Sequence, residues 1–280
     1  MIIPVRNGAA ELGQQLEALS NQECDRTWEV VVVDNGSTDS SAQLALSFAG
    51  RLPIRIVDSS DKPGRSHALN RGVDEAKGRK LAILDADDEV APGYLAAMAR
   101  ALDNHPIVAA RHDNATLNPM WAQKSRPSAQ ESGVGNPFGF LQSAAGCSLG
   151  VQKDVMRRVG PFDPTMRFCE DIDFCWRANR AGYDITFVPD ALLRYRYRST
   201  LRGMFRQANG YGTSGPLLYK RYREAGMPRR SARTTLRYWL APGVRLIRAR
   251  NKGDFAELIF LVGFRVGLLK GSIKARVVYL

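Results

Sequence analysis

Short apolar runs alternate with amphipathic stretches along the first hundred residues. Residues 2–5 read as a strand, and residues 10–21 set Leu12, Leu16 and Leu19 on one helical face. Residues 28–33 are β-branched and unbroken, the pattern of a strand buried on both sides. A helix follows over 37–48, opened by Ser, Thr and Asp residues suited to capping. Then come a strand at 54–57, a helix at 65–76 closed by Gly78, a strand at 80–84 and a helix at 92–102 with proline in its first turn. This repetition predicts an α/β fold with a mostly parallel central sheet flanked by helices.

After Pro106 the pattern loosens. Residues 114–138 hold Pro119, Pro127, Gly133, Gly135 and Pro137 and read as a long irregular segment, of the kind that serves a site. Regular signals return as a strand at 146–151, helices at 153–159 and 170–181, and a strand at 185–188. The alternating stretch 192–198 leads into a helix-rich basic tail. The expected division is an α/β domain over 1–198, in two halves at 1–105 and 106–198, and a helical extension over 199–280.

Composition is ordinary for a globular chain, with 44% hydrophobic and 24% charged residues, but the net charge of +12 is unevenly spread. Residues 191–280 hold 20 Lys and Arg against Glu224, Asp254 and Glu257, a net of +17, and residues 1–190 carry −5. An anionic partner for the tail follows, either membrane phosphates or nucleic acid. Tyrosines interleave with the tail arginines, as in base-stacking surfaces, yet no nucleic-acid module is recognisable, so a membrane surface is the expected partner and nucleic acid is not. Within the tail, residues 258–269 are apolar except for Arg265, with Lys270, Lys274 and Arg276 after them. That run is too short to span a bilayer and reads as an interfacial helix; the alternative packs it against the catalytic domain or a second copy. Cys24, Cys147, Cys169 and Cys175 form no CxxC pair and read as reduced thiols of a cytoplasmic protein.

Polar residues directly after strands are the first candidates for chemistry in such sheets. Asp34 ends a strand and opens Asn35-Gly36-Ser37-Thr38-Asp39, which fits either a turn with a helix cap or a ligand-binding carboxylate. The next such strand ends in Asp85-Ala86-Asp87-Asp88-Glu89, four acids within five residues. Their mutual repulsion is relieved either by solvent or by a divalent ion with oxygen ligands, and alternation sets Asp85 and Asp87 on one side. A third acidic group, Glu170-Asp171-Ile172-Asp173, opens a helix, where acids answer the helix dipole or serve as a general base. No GxGxxG follows the first strand and no GxxxxGK[ST] occurs, which removes the usual support for nicotinamide binding and phosphate-loop hydrolysis.

Ile3-Pro4-Val5-Arg6-Asn7-Gly8, Asp34 to Asp39, Ala68-Leu69-Asn70-Arg71-Gly72, Asp85-Ala86-Asp87-Asp88 and Glu170-Asp171 stand in an order that resembles the family 2 glycosyltransferases, inverting nucleotide-sugar enzymes of GT-A fold. The resemblance implies that Pro4, Val5 and Arg6 line the nucleotide and Asp34 holds the base. It also implies that Arg65 lies near the base or diphosphate. Asp85, Ala86 and Asp87 become the DxD stretch, with Asp87 the direct ligand of Mn²⁺ or Mg²⁺. Asp171 becomes the base that deprotonates the acceptor hydroxyl, and Glu170, Arg194 and Arg196 fall on the acceptor side. Many relatives carry a metal-binding histidine near the sequence Arg194-Tyr195-Arg196-Tyr197-Arg198, which here has none. The implied partners are a nucleotide-sugar donor and a glycan or lipid-linked acceptor. The implied location is the cytoplasm, at the inner face of the membrane, with self-association through the C-terminal helices as the other use of the tail.

Overall fold

Val30, Val31, Val32 and Val33 are fully shielded from solvent, and that single fact organises the first part of the chain. Successive strand residues point to opposite faces. Val30 and Val32 join one apolar cluster with Leu12, Leu16 and Met98, while Val31 and Val33 join another with Leu69, Phe162 and Phe174. A strand covered on both faces has no polar positions to offer, hence the unbroken valine run.

The computed structural model of the protein describes residues 1–128, 130–229 and 231–279. Ala129, inside the stretch expected to be irregular, and Arg230 and Leu280, in the basic tail, lie outside the described residues. Two compact units are present. The first holds Met1–Asp113, Ala129–Gly135 and Leu141–Arg196, and the second holds Asn114–Ser128, Asn136–Phe140 and Tyr197–Leu280.

In the first unit, β1 (Ile2–Val5), β2 (Val30–Asp34) and β3 (Ile54–Asp58) pair in parallel in the order β1-β2-β3. They alternate with α1 (Ala9–Ser20), α2 (Ser41–Ser47) and α3 (Arg65–Glu75). Next in the chain are β4 (Lys80–Ala82), β5 (Glu89–Val90) and α4 (Tyr94–Asn104). Beyond them lie β6 (Ile107–Asp113), β7 (Leu149–Gln152), α6 (Lys153–Val159), α7 (Glu170–Arg180) and β8 (Ile185–Arg194). The order β4-β7-β6-β8-β5 makes a second sheet, joined to the first by a parallel bridge from Ile2 to Ile83. Here the expectation of a mostly parallel sheet holds only in part. The β6–β8 pair is parallel, but β4–β7, β6–β7 and β5–β8 are antiparallel. The strand β6 follows Pro106 and was not anticipated. Its central residues Val108, Ala109 and Ala110 are fully buried, but Arg111, His112 and Asp113 at its end break the apolar pattern.

The segment 114–138 is largely irregular, with a short helix α5 at Met120–Gln123 and a 3₁₀ turn at Pro137–Gly139. In the second unit α8 (Leu201–Tyr222), α9 (Ala232–Arg248) and α10 (Lys252–Ala275) carry the basic tail. The run 258–269, read from sequence as an interfacial helix, lies inside α10 and packs along α8. Glycines set this contact. A Cβ on Gly267 would lie 2.2 Å from the Asn209 carbonyl oxygen, one on Gly271 2.3 Å from that of Thr213, and one on Gly212 2.0 Å from that of Phe264. The two helices therefore touch backbone to backbone, as small residues at four-residue spacing allow. No helix among the described residues is long and apolar enough to cross a membrane.

Gly267→Ala forces a methyl group into backbone, so stability should fall by about 1–3 kcal/mol, read as a lower thermal midpoint. Gly243→Ala, in open space on α9, should be neutral or raise stability by roughly 0.5–1 kcal/mol through helix propensity. Equal midpoints for the two variants would contradict the close contact.

Candidate active site at the strand ends

The loops after β1, β2 and β3 are tied to one another before any ligand is considered. Asn7, with φ 54°, accepts from the Thr38 backbone N–H at 2.7 Å, and its own N–H donates to Ser37 Oγ at 3.0 Å. Asn35 is buried, donates to the Lys62 carbonyl at 2.9 Å and accepts from the Gly64 N–H at 2.7 Å. Gly64, at φ 142°, supplies a backbone conformation that a side chain would resist as the chain turns into α3. The sequence reading treated Asn35 as a turn residue; it is the pin between the β2 and β3 loops. Asp34, half-buried, accepts from the Ser37 N–H at 2.9 Å through Oδ1, so one of its oxygens belongs to the turn.

That turn sets the start of α3, and with it Arg65. Arg65 donates from Nε and Nη2 to Asp85 Oδ1 at 3.1 and 2.7 Å, and from Nη1 to Glu170 Oε1 at 2.6 Å. Burial works against the guanidinium charge, but Asp85 and Glu170 more than offset it and push the Arg65 pKa further up. Glu170, expected on the acceptor side, is only 4% exposed and is engaged by Arg65.

Asp171 follows on α7. Its Oδ2 accepts from the Gly146 N–H at 2.7 Å and its Oδ1 from the Ile172 N–H at 2.8 Å. Desolvation first, then the Glu170 charge, raise its pKa from the ordinary carboxylate range to about 6, against the pull of Arg65. Gly146 was missed from sequence. A Cβ there would stand 3.1 Å from both Arg65 Nη1 and Asp171 Cβ, so any larger residue would press on both site side chains. Other groups fix α7 in place. Asn70 clamps the Phe162 backbone at 2.8 and 2.9 Å, and Ser66 Oγ donates to the Met166 carbonyl at 3.1 Å. Asp173, fully buried, is paired with Arg177 at 2.9 Å, and Arg177 also holds the carbonyls of Val159 and Pro161. Asp173 is thus a brace for the turn before α7.

The acidic turn after β4 is held from two sides. Gln15, buried on α1, donates to the Asp85 carbonyl at 3.3 Å and accepts from the Val90 N–H at 3.0 Å. Arg196 donates from its backbone N to Asp88 Oδ1 at 2.8 Å and from Nε to the Asp87 carbonyl at 2.7 Å, while Arg194 pairs with Glu89. Both arginines, expected toward the acceptor, are spent within the unit on this turn. Asp88 was not singled out from sequence, yet it is 1% exposed and its Oδ2 has no hydrogen-bond partner. Burial, with Asp87 and Asp85 adding to it, pushes its carboxyl well above the usual range. Ligand atoms of Asp85, Asp88 and Cys147 lie within 4.8 Å of one another. Burial and the same acids push the Cys147 thiol up, so it stays neutral, and the carboxylate oxygens are the hard donors. Asp87 and Ala86 are half-buried beside them, Pro4 is half-buried, Val5 is buried, and Arg6 is exposed at the end of β1.

The fold is shared with solved glycosyltransferases. The structure overlays on a mannosyltransferase from Pyrobaculum calidifontis, PcManGT, in complex with GDP-Man and Mn²⁺, with a TM-score of 0.65 and 19% identity over 96% of this chain and 86% of that one. It overlays on residues 1–349 of TarS from S. aureus with a TM-score of 0.57 and 16% identity, over 100% and 92% of the two chains. Among sequence relatives, glycosyltransferase AglE of Haloferax volcanii is 28% identical over 196 residues, 69% of this chain and 64% of that protein. The pre-mycofactocin glycosyltransferase of Mycobacterium tuberculosis is 25% identical over 271 residues, 94% of this chain and 55% of that protein. The chain thus spans between about half and two thirds of the length of these curated relatives. The family model "Glycosyl transferase family 2" matches residues 1–160, which include the loops after β1 to β4 and Gly146 but not the turn before α7, the start of α7, Arg194 or Arg196. With that match over more than half its length and a GT-A fold around the matched loops, the chain belongs to glycosyltransferase family 2.

Proposed function

We propose that the chain transfers a sugar from a nucleotide-sugar donor, UDP- or dTDP-sugars favoured, to a hydroxyl of a glycan or lipid-linked acceptor, inverting the anomeric centre. The observation that carries this reading is Arg65 bonded to Asp85 and Glu170 where the strands end, with Asp171, the next residue of α7, held beside them by the Gly146 N–H. TarS has been seen with UDP and with UDP-GlcNAc, and PcManGT with GDP-Man, which is consistent with a nucleotide-sugar donor here.

In this reading Pro4, Val5 and Arg6 line the nucleotide, and Asp34 accepts the ring N–H of the base through the oxygen its turn does not use. Arg65 turns its charge to the diphosphate, where a fixed guanidinium stabilises the departing negative charge. Asp85, Asp87 and Asp88 would hold Mn²⁺ or Mg²⁺; the Asp88 Oδ2 without a hydrogen-bond partner and the two carboxylates gathered with the Cys147 thiol supply oxygen donors that suit a hard cation. When bound, such an ion neutralises charge on the diphosphate leaving group. Asp171 takes the proton from the acceptor hydroxyl as that oxygen attacks. The Gly146 and Ile172 N–H groups fix its orientation, and a pKa near 6 leaves it ionised at neutral pH yet more basic than an ordinary carboxylate.

Three outcomes test this. Asp171→Asn should keep donor affinity and lower transfer by about 10²–10⁴-fold. In the unaltered protein kcat/KM should fall as pH drops through about 6, because protonated Asp171 cannot accept a proton; near-normal transfer by the variant, or a flat profile to pH 5, would remove Asp171 from the role. Asp87→Ala should weaken UDP and Mn²⁺ binding together, on the order of tenfold or more. Titration calorimetry with UDP in Mn²⁺ and in EDTA reads this directly, and equal affinities in the two buffers would take the metal out of the scheme.

A further inference from the structure

Five large apolar side chains on α9 are exposed, Leu236, Leu240, Val244, Leu246 and Ile247, and all but Leu246 share one face. Those four fall at helical spacing, and three of them are 62%, 61% and 74% exposed at 236, 240 and 247. The opposite face, with Thr235, Tyr238 and Pro242, is the half-buried one. A helix that only packed on its own unit would have the reverse pattern. Arg233, Arg237 and Arg248, all exposed, border the apolar stripe. The remaining arginine of the helix, Arg245, is taken by Glu257 of α10 at 2.7 Å.

We propose that α9 is a membrane-contact helix, laying its outer face into the headgroup region of an anionic lipid surface. The chemistry of the stripe selects this occupant. Leucine, valine and isoleucine enter the boundary of the acyl chains, while the bordering guanidiniums remain at the level of the phosphates. A second copy of the chain is a poor match. Residues 232–248 contain no Asp or Glu, so a two-fold contact through this face would bring arginine borders together with no acid to answer them. Nucleic acid leaves the four aliphatic side chains without a role. The proposal concerns the second unit alone and does not rest on the sugar-transfer reading. It also moves the expected membrane contact from residues 258–269, packed along α8, to the helix before them.

The test is flotation of the full chain with vesicles of phosphatidylcholine alone or mixed with phosphatidylglycerol, at low and high salt. Flotation should require phosphatidylglycerol and weaken with salt. Leu240→Gln/Ile247→Gln and Arg233→Gln/Arg237→Gln/Arg248→Gln should each reduce the floated fraction at least tenfold. Both alter exposed positions, and an unchanged thermal midpoint and circular dichroism spectrum would confirm that the variants are folded. Failure of the full chain to float at low salt, or flotation of both folded variants like the unaltered protein, would overturn the proposal. So would a dimer in sedimentation, or a DNA complex, that the Leu240→Gln/Ile247→Gln change abolishes while lipid binding is absent.

Discussion

A half-buried guanidinium is held best by more than one carboxylate, and the first unit is arranged around meeting that need at Arg65. Asp85 comes from the turn after β4, Glu170 from the start of α7, and Arg65 from the start of α3. Three loops separated by long stretches of sequence are thereby held to one point. The ion pairs alone do not explain this, since desolvation offsets much of the Coulomb attraction between partly buried charges. Hydrogen bonds from side chains to loop backbone do the positioning. Asn35 sets the entry to α3, Asn70 and Arg177 set the turn before α7, and Gln15 sets the acidic turn. Each spends side-chain donors or acceptors on loop backbone that the regular ladders leave unpaired.

The same scaffold leaves an excess of negative charge beside Arg65. Asp85, Asp87, Asp88, Glu170 and Asp171 crowd the turn after β4 and the start of α7, and burial first, with neighbouring acids adding to it, raises the Asp88 carboxyl well above the usual range and Asp171 to about 6. Carboxylates so crowded are stabilised by protons or by cations. A glycosyltransferase site has use for both conditions. In the proposed reading a divalent cation would enter with the diphosphate, each offsetting the other's charge, and a carboxylate of raised pKa takes up a proton more readily than an ordinary one.

Local patterns made the α/β half of the fold readable. The bounds of β1 and α6 match their apolar spacing, and the valine run of β2 was read correctly as doubly covered. What escaped was non-local. The strand β6 ends in Arg111, His112 and Asp113, and its identity rests on pairing with β7 and β8 rather than on its own sequence. Asp88 was overlooked because alternation along an extended chain pointed to Asp85 and Asp87. The turn after β4 is not extended, and the Arg196 backbone draws Asp88 inward. Gly146 carries no local signal at all, since its requirement comes from Arg65 and Asp171 across the unit.

The C-terminal helices show why hydrophobicity along a chain is a poorer guide than its phase. Residues 258–269 form the more apolar run, yet Gly263, Gly267 and Gly271 recur every fourth residue and give α10 a face of bare backbone. Such a face gains by approaching another helix closely, because each ångström of separation removes dispersion contacts that small residues otherwise permit. The spacing was legible and points to helix pairing. Helix α9 has fewer apolar residues, but Leu236, Leu240, Val244 and Ile247 are in phase on the side away from its own unit, with arginines beside them. A sequence average ranks α10 as the surface-seeking helix. Periodicity, read against which face is already occupied, reverses that ranking.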